Sequence, residues 1–299
     1  MTAISISGIL PSSWLTGYGA EFQNLVTLWM TLLLIVAALC FIVSEITHNY
    51  SQVDKLWSLL PPAYAWITVA AFPTARTVIM AVLVTLWGLR LSYNFHRKGG
   101  YNIIPWRGEE DYRWKILRDS FALKGRMRFG LFNFLFISLY QNIIILLFTT
   151  PILLAALHSG TSLSVTDIVA AALMLTFLIT ETVADNQQFR FQTAKRSLSS
   201  EAEGFSESLR KGFLTEGLWK YVRHPNFASE QAIWISFYLF GVAASGNWIN
   251  FTLLGPVLLV LLFIGSSIMT EKISSSKYPD YSTYQKEVPK FIPRIFRRK

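Results

Sequence analysis

Long apolar runs recur along the whole chain, and they constrain its fold more than any other feature. A helix needs about 20 apolar residues to cross the hydrocarbon core of a bilayer. Because lipid offers the backbone no hydrogen-bond partners, such runs must be helical. We therefore expect an all-α integral membrane protein with seven transmembrane helices. The seven runs cover residues 25–46, 57–73, 76–95, 129–157, 166–184, 231–246 and 249–269.

The composition agrees with a bilayer environment and argues against other partners. Hydrophobic residues make up 52% of the 299 residues, and charged residues make up 15%. The net charge of +9 would suit nucleic acid, but the basic residues lie in loops between apolar runs, so we expect no nucleic acid as a partner. The single Cys40 and four scattered histidines lack metal-ligand spacing. No metal site is expected.

The distribution of basic residues predicts the orientation. Of the 27 Lys and Arg residues, 25 are accounted for by Lys55 and the segments 96–128, 185–228 and 270–299. An odd number of spans places these segments on one face, which the positive-inside rule makes cytoplasmic. The amino terminus is then outside and the carboxyl terminus inside. Residues 1–20 lack a basic n-region, so we expect no removable signal peptide. The whole chain, 1–299, is expected to form a single membrane domain.

The segment 217–230, GLWKYVRHPNFASE, concentrates polar groups at a membrane boundary. Ionisable groups there are costly unless they are paired or serve a ligand. Pro225 bends the chain where these side chains converge. The segment thus predicts a site for a charged molecule, although a positively charged helix end is an alternative, above all for Lys220. The polar residues of this segment are Lys220, Arg223, His224, Asn226 and Glu230.

A second polar cluster, 181–196, leaves the membrane at the end of the fifth run. Helical spacing places four of its side chains on one face, and basic residues follow them. Carboxylates bind vicinal hydroxyls well, and Lys and Arg match phosphates. The cluster fits a nucleotide, but a solvated helix end would look the same. The face comprises Glu181, Asp185, Gln188 and Gln192, with Asn186, Lys195 and Arg196 beside it.

Two further clusters lie at the same boundary. In residues 90–100, Arg90 is inside an apolar run and needs a phosphate or a carboxylate such as that of Glu45. In residues 270–284, Glu271 ends the last run and tyrosines follow, which would also suit an interfacial aromatic belt. The other candidate residues in these clusters are Tyr93, Arg97, Lys98, Tyr278, Tyr281 and Tyr284.

Taken together, five motifs resemble bacterial proteins of the steroid 5α-reductase family. The likeness covers nearly the whole chain and is strongest after residue 180. The sequence RHPN followed by Glu is also shared with sterol reductases and isoprenylcysteine carboxyl methyltransferases, so it identifies the superfamily better than the reaction. The motifs are SQVDKLWS at 51–58, LRLSYNFHRKGGY at 89–101, ADNQQF at 184–189, GLWKYVRHPNF at 217–227 and TEKISSSKYPDYSTYQ at 270–285.

The resemblance implies a monomeric enzyme of the bacterial inner membrane with its active site open to the cytoplasm. Such an enzyme uses NADPH to reduce the C4–C5 double bond of a 3-oxo-4-ene steroid or a related enone lipid. Residues 1–128 would form mainly the substrate side, and 129–299 mainly the cofactor-binding helices and cytoplasmic loops. Because no Gly-x-Gly-x-x-Gly motif follows a strand, a Rossmann fold is excluded and side chains between helices must hold the dinucleotide.

The resemblance carries cofactor-binding roles to specific positions. Asp185, Asn226 and Glu230 match the family's acidic and amide residues, Tyr221 and Trp234 match its aromatic residues, and Arg223 and His224 match the basic pair of sterol reductases. The abundance of basic residues favours NADPH over NADH. The full predicted cofactor site is Arg90, Arg97, Lys98, Asp185, Asn186, Gln192, Lys195, Arg196, Tyr221, Arg223, His224, Asn226, Glu230, Trp234, Glu271 and Tyr278.

The predicted catalytic residues are Gln52, Asp54 and Tyr93. Steroid reductases place an adjacent Gln-Glu pair at the substrate ketone, whereas this chain has Gln52, Val53 and Asp54. Hydride addition to an enone needs an acid at the carbonyl. A buried Asp54 would remain protonated and could act as that acid, relayed to Tyr93. A helix N-cap role for Asp54 is the alternative.

Two other classes of function remain open. A membrane methyltransferase would bind S-adenosylmethionine in the same pocket, but that ligand has no phosphates to explain the surplus of Lys and Arg. A non-catalytic lipid-binding protein would use its basic loops for anionic headgroups, and the carboxylates at the same boundary would then be unfavourable.

Overall fold

The structure is a computed structural model that describes residues 17–104, 106–197 and 205–294. These residues form helices and loops, with no strand among them. The α-helices are α1 (Ala20–Thr47), α2 (Gln52–Trp57), α3 (Leu60–Ala71), α4 (Ala75–Arg97), α5 (Tyr112–Asp119), α6 (Arg126–Phe132), α7 (Gln141–Thr149), α8 (Pro151–Leu157), α9 (Val165–Ser197), α10 (Ser206–Lys211), α11 (Pro225–Ser245), α12 (Leu254–Lys277) and α13 (Tyr281–Glu287). A π-helix occupies Asn133–Tyr140, and 3-10 turns occupy Gly217–Lys220 and Phe251–Leu253.

Within the described part of the chain, five helical segments are long and apolar enough to cross a membrane. They confirm five of the seven predicted spans and support a multi-pass integral membrane protein. The segments are Ala20–Thr47, Ala75–Arg97, Arg126–Thr149, Val165–Arg196 and Phe251–Lys277.

The predicted spans 57–73 and 231–246 do not meet this criterion, for two different reasons. Helix α3 has only 12 residues, and 1.5 Å per residue gives it a length of about 18 Å. Helix α11 has 21 residues and is long enough, but its first two turns carry Asn226, Glu230 and Gln231. Helix length and composition therefore do not establish a count of seven.

The chain packs as two compact units. The first unit contains the residues up to Asp167 together with Phe240–Gly255, and the second contains Ile168–Leu239 and the residues from Pro256 onward. The predicted division of labour between residues 1–128 and 129–299 stays a prediction.

Glycines allow close helix packing in the first unit. A Cβ atom on Gly88 of α4 would lie 2.5 Å from the carbonyl oxygen of Ser58, and one on Gly255 would lie 2.3 Å from that of Leu147. Side chains larger than hydrogen would therefore push the helices apart. Small residues at helix contacts are how membrane bundles gain van der Waals contact when lipid supplies no hydrophobic driving force.

One end of the first unit is held by a buried ion pair. Arg76, near the start of α4, donates from Nε to Asp167 Oδ1 (2.7 Å) and from Nη2 to Asp167 Oδ2 (3.0 Å). The same guanidinium donates to the carbonyl oxygens of Thr161 and Ser162. Arg76 was one of the two basic residues outside the predicted cytoplasmic segments. A positive charge is tolerated at this position because Asp167 neutralises it.

The loop that follows α4 folds over α2 in the same unit. Asn49 Nδ2 donates to the carbonyl oxygen of Gly108 (2.9 Å), and Lys55 Nζ donates to that of Arg107 (2.8 Å). The hydroxyl of Tyr101 donates to the carbonyl oxygen of Lys55 (2.7 Å). The chain segments before α3 and after α4 therefore lie together.

The second unit has its own aromatic core outside the long helices. Phe213 packs against Tyr281 and Tyr284 of α13, with ring centroids 4.9 and 5.3 Å apart. Both tyrosines are buried. Their predicted alternative role as interfacial anchors is therefore wrong, because their rings pack inside the protein.

Candidate functional site

The candidate cofactor site lies in the second unit and depends on how the chain enters α11. Gly217 has a φ of +60°, and a Cβ atom there would lie 2.4 Å from the side chain of Gln187. The backbone N–H of Leu218 donates to Gln187 Oε1 (3.0 Å), and Trp219 Nε1 donates to the carbonyl oxygen of Ala184 (3.3 Å). The 3-10 turn is thus attached to α9, and α11 begins soon after it at Pro225.

Glu271 of α12 is the centre of a buried ionic network at this entry. Arg223 Nε lies 2.7 Å and His224 Nε2 lies 3.0 Å from Glu271 Oε1. Gln285 Nε2 donates to Glu271 Oε2 (3.1 Å), and Lys290 Nζ lies 3.5 Å from it. One carboxylate of α12 thus joins the residues just before α11, helix α13 and the segment after α13.

Backbone bonds reinforce this network. The N–H groups of Arg223 and His224 donate to the carbonyl oxygens of Pro289 (2.9 Å) and Lys290 (3.1 Å). Arg223 Nη1 also donates to the carbonyl oxygens of Gln285 and Val288. The structure therefore brings together three predicted cofactor residues, Arg223, His224 and Glu271, but it engages them with one another.

A second polar group joins α9 to α11. Asn226 Nδ2 donates to Asp185 Oδ1 (3.2 Å), and Asp185 is buried. Asn226 Oδ1 and Gln188 Oε1, the latter one turn beyond Asp185 on α9, are buried without a hydrogen-bond partner. Buried polar atoms are normally hydrogen-bonded, so these two acceptors are available to the donor groups of a ligand.

Helix α9 presents the polar face that its sequence predicts. Glu181 and Asp185 are each 4% exposed, and Gln188 and Gln192 are half-buried. Asn186 and Arg196, also predicted cofactor residues, are exposed at other positions of the helix.

Lys195, in the last turn of α9, is also engaged within the protein. Its Nζ donates to the carbonyl oxygen of Gly212 (2.6 Å) and to the hydroxyl of Tyr278 (2.9 Å). Burial raises the pKa of Tyr278, but the hydrogen bond and charge of Lys195 outweigh burial and lower that pKa. Lys195 and Tyr278 thus form one connection between α9 and the end of α12.

Glu230 and Trp234, two residues of α11 that the resemblance assigns to the cofactor site, bond to each other. Trp234 Nε1 donates to Glu230 Oε1 (3.1 Å), and both residues are buried. Tyr221, by contrast, is exposed. Trp234 thus orients Glu230 inside the second unit.

The candidate catalytic acid, Asp54, lies in the first unit. Helix α2 begins at Gln52 with Ser51 at its N-cap, so the alternative N-cap role for Asp54 is wrong. Asp54 is the third residue of the helix, and its Oδ2 accepts a hydrogen bond from Trp114 Nε1 (2.9 Å). Sequence reasoning missed Trp114, because nothing in a basic loop marks one indole as the partner of a carboxyl 60 residues earlier.

The surroundings of Asp54 favour its protonated form. Burial raises the pKa of Asp54, and the charge of Asp111 raises it further, against smaller opposing effects of Arg113 and the Trp114 hydrogen bond. Burial also raises the pKa of Asp111, but its pair with Arg113, 2.7 Å away, holds that pKa below its usual range. The two neighbouring carboxyls are therefore driven in opposite directions, as in acid and base pairs of active sites.

The other predicted catalytic residues have different environments. Gln52 Nε2 donates to the carbonyl oxygens of Asn49 (3.0 Å) and Trp106 (3.2 Å), and its Oε1 accepts from Lys55 (3.3 Å). Tyr93 is 65% exposed on α4. Among the described residues no hydrogen bond joins Tyr93 to Asp54, so the structure contains no direct relay between them.

Three predicted cofactor residues also belong to the first unit. Arg90 is half-buried on α4, and Arg97 lies in the last turn of the same helix with its guanidinium 5.5 Å from the ring centroid of Tyr93. Lys98 is the exposed C-cap residue. Glu45, the suggested partner of Arg90, accepts a hydrogen bond from Asn133 (2.8 Å). The cofactor roles of these residues stay predictions.

We predict that Glu271→Gln destabilises the protein by about 3 to 5 kcal/mol, because it leaves the buried charge of Arg223 without its carboxylate. The free energy of unfolding in detergent, measured by denaturant titration, checks this. Glu207→Gln is the control: Glu207 pairs with Lys211 at 2.6 Å on the surface, and its loss should have no measurable effect. Equal effects of the two substitutions would contradict the role given to Glu271.

Comparisons with known proteins give the family. No solved structure matches the chain. An uncharacterized protein of Schizosaccharomyces pombe is 38% identical over 265 residues, which cover 85% of this chain and 75% of that protein. The family described as protein of unknown function (DUF1295), which is related to the steroid 5α-reductase superfamily, matches residues 40–288. The chain therefore belongs to the DUF1295 family of membrane proteins.

Proposed function

We propose that the protein is a reductase that uses NADPH to reduce the C4–C5 double bond of a 3-oxo-4-ene steroid or a related enone lipid. The cofactor in this proposal rests on two buried acceptor atoms without a hydrogen-bond partner. They are Asn226 Oδ1 and Gln188 Oε1, beside the buried Asp185. The reaction itself is suggested by the motif resemblance and by the raised pKa of Asp54.

The residues of the second unit fit the chemistry of a dinucleotide. Ribose hydroxyls and the carboxamide N–H groups are donors, which the two empty acceptors and the carboxylate of Asp185 would accept. Glu230, oriented by Trp234, offers a further carboxylate. Arg196 is exposed at the end of α9, where it would meet phosphate groups. When bound, NADPH supplies the hydride.

Asp54 would supply the acid. Because Trp114 donates to Oδ2, the carboxyl proton lies on Oδ1, which is then the atom that hydrogen-bonds a ketone oxygen. As negative charge accumulates on that oxygen, the hydrogen bond strengthens and stabilises the developing enolate. The raised pKa of Asp54 favours retention of this proton.

We also propose seven membrane crossings with the amino terminus outside and the carboxyl terminus in the cytoplasm, in the inner membrane if the host is bacterial. The bonds between the segment before α3 and the loop after α4 support a crossing by α3, since α4 must return to the side from which α3 started. The contact of Arg223 with Glu271 supports a crossing by α11 in the same way. Helix α12 is apolar enough to span, and Glu271 lies near its carboxyl end. Since the residues just before α11 contact that end, α11 must cross in the opposite direction.

Reporter fusions test this topology. We expect green fluorescent protein fused after Lys299 to fluoresce, and alkaline phosphatase inserted after Gly246 to be active, because the first reporter works only in the cytoplasm and the second only outside it. Inactive phosphatase at Gly246 together with active phosphatase after Lys299 would reverse the orientation.

A methyltransferase remains the second candidate because of one observation. Arg223 and Lys195, two of the cations expected to bind phosphates, contact Glu271 or Tyr278 instead. S-adenosylmethionine has ribose hydroxyls and amino groups for the same empty acceptors but needs no phosphate site. Cofactor titration separates the two candidates.

We expect isothermal titration of the purified protein to show tighter binding of NADPH than of NADH, and no binding of S-adenosylmethionine. Asn226→Ala should weaken NADPH binding by about 1 to 3 kcal/mol, since it removes a buried hydrogen-bonding group. Ser229→Ala is the matched control, because this buried serine lies one turn further along α11 and bonds only the carbonyl oxygen of Pro225. Tight binding of S-adenosylmethionine would contradict the reductase proposal, and equal affinity for NADPH and NADH would remove its cofactor preference.

Asp54→Asn should lower turnover of testosterone or progesterone about 100-fold or more while NADPH binding stays near normal, because the positioned acid is lost. Wild-type turnover should decline as the pH rises through the raised pKa of Asp54, since only the protonated form donates. Asp119→Asn, which changes an exposed carboxylate at the end of α5, is the control. If Asp54→Asn keeps full turnover and Tyr93→Phe abolishes it, Tyr93 is the acid and the assignment of Asp54 is wrong.

A further inference from the structure

Two adjacent buried amides, Gln141 and Asn142, lie in the first unit at the start of α7. They are 4% and 1% exposed. They directly follow the π-helix Asn133–Tyr140. Such segments are rare and frequently occur at functional sites. The position of these amides directly after a π-helix therefore favours a role in binding.

Each amide has an atom that the protein leaves unsatisfied. Gln141 Nε2 and Asn142 Oδ1 are buried without a hydrogen-bond partner. The other half of the Asn142 amide is occupied, since Nδ2 donates to the carbonyl oxygen of Ser138 (2.7 Å). One donor and one acceptor, neighbours in the sequence, are left. Unsatisfied groups are destabilising, and the bilayer offers them no water.

Other buried polar side chains of the same membrane segment are satisfied within the protein. Asn133 Nδ2 donates to Ser44 Oγ and Glu45 Oε1, both at 2.8 Å. Ser138 Oγ donates to Asn133 Oδ1 (3.3 Å), and Thr149 Oγ1 donates to the carbonyl oxygen of Ile145 (2.7 Å). The unsatisfied atoms of Gln141 and Asn142 are thus a local feature of this position.

The neighbourhood of the amides is apolar. Ile144, Ile145 and Phe148, which follow on α7, are completely buried. The ring of Trp57 lies 5.9 Å from that of Phe148. A ligand in such surroundings must itself be largely hydrophobic, with its polar part limited to what one donor and one acceptor can satisfy.

We propose that Gln141 and Asn142 bind the hydroxyl group of a hydrophobic alcohol. A hydroxyl oxygen accepts from Gln141 Nε2 while its hydrogen donates to Asn142 Oδ1, so one small group satisfies both empty positions. A ketone would satisfy only Gln141, and a hydrocarbon neither. The site selects its ligand by this one polar group, and it needs no dinucleotide, so it is independent of the reductase proposal.

Thermal unfolding of the purified full-length protein in detergent, without dinucleotide, tests the proposal. The probes are 5α-androstan-3β-ol, 5α-androstan-3-one and 5α-androstane, which share a skeleton and differ in the polar group. We expect stabilisation to decrease in that order, with the alcohol bound about tenfold more tightly than the hydrocarbon. Hexadecan-1-ol and hexadecane form a second pair, and a preference for the alcohol in only one of the two series identifies a rigid or a linear ligand.

Substitutions test whether the amides of Gln141 and Asn142 cause the preference for the alcohol. Gln141→Met, which keeps the volume, should remove the preference for the alcohol and raise the unfolding midpoint of the ligand-free protein, because an unsatisfied donor is gone. Asn142→Leu should reduce binding of the alcohol to the level of the ketone. Thr149→Val is the control, since this buried hydroxyl of α7 bonds only its own helix.

The same experiment can overturn the proposal. It fails if neither series distinguishes alcohol from hydrocarbon in the wild-type protein, or if Gln141→Met keeps the wild-type order. Gln141→Met decides the matter even if Asn142→Leu does not fold, because the Gln141 substitution leaves the bond from the Asn142 amide to Ser138 in place.

Discussion

Polar atoms inside a membrane protein must find their partners within the protein, and this constraint explains most of the specific contacts described above. Two buried charges illustrate this: Arg76 has Asp167 and two carbonyl oxygens, and Glu271 has Arg223 and His224. These contacts fasten loops and helix ends at the places where apolar packing cannot specify position. The helices supply the bulk of the fold, and the ionic contacts fix where its polar segments lie.

The Glu271 network shows how stability and function are linked in the second unit. Its five participants come from the residues just before α11, from α12, from α13 and from the chain after α13. The network therefore fixes the residues immediately before Asn226. Asn226 is then held against Asp185 with one amide atom free for a ligand. Arg223 and His224 thus position the site through Glu271, which is a different role from direct phosphate binding.

Local patterns in the sequence predict some of this well, because hydrophobic length and helical spacing are local properties. They give five membrane spans and the polar face of α9 from Glu181 to Gln192. They do not give the 12-residue length of α3, which ends at Ala71 before the turn into α4. Nor can spacing predict that Trp114 bonds Asp54 or that Arg223 bonds Glu271, since those partners are distant in the sequence and are chosen by the folded chain.

The unsatisfied atoms at the two candidate sites differ in chemistry, and that difference is informative. In the second unit, Asn226 and Gln188 lack hydrogen-bond donors only, which suits a ligand rich in hydroxyl and N–H groups. In the first, Gln141 lacks an acceptor while Asn142 lacks a donor, and apolar side chains surround them. A single polar ligand would not suit both places, because the second unit needs several donors and the first needs one small group on a hydrophobic body. The pattern of missing partners therefore favours a protein that binds a polar molecule in one unit and a lipid-like molecule in the other.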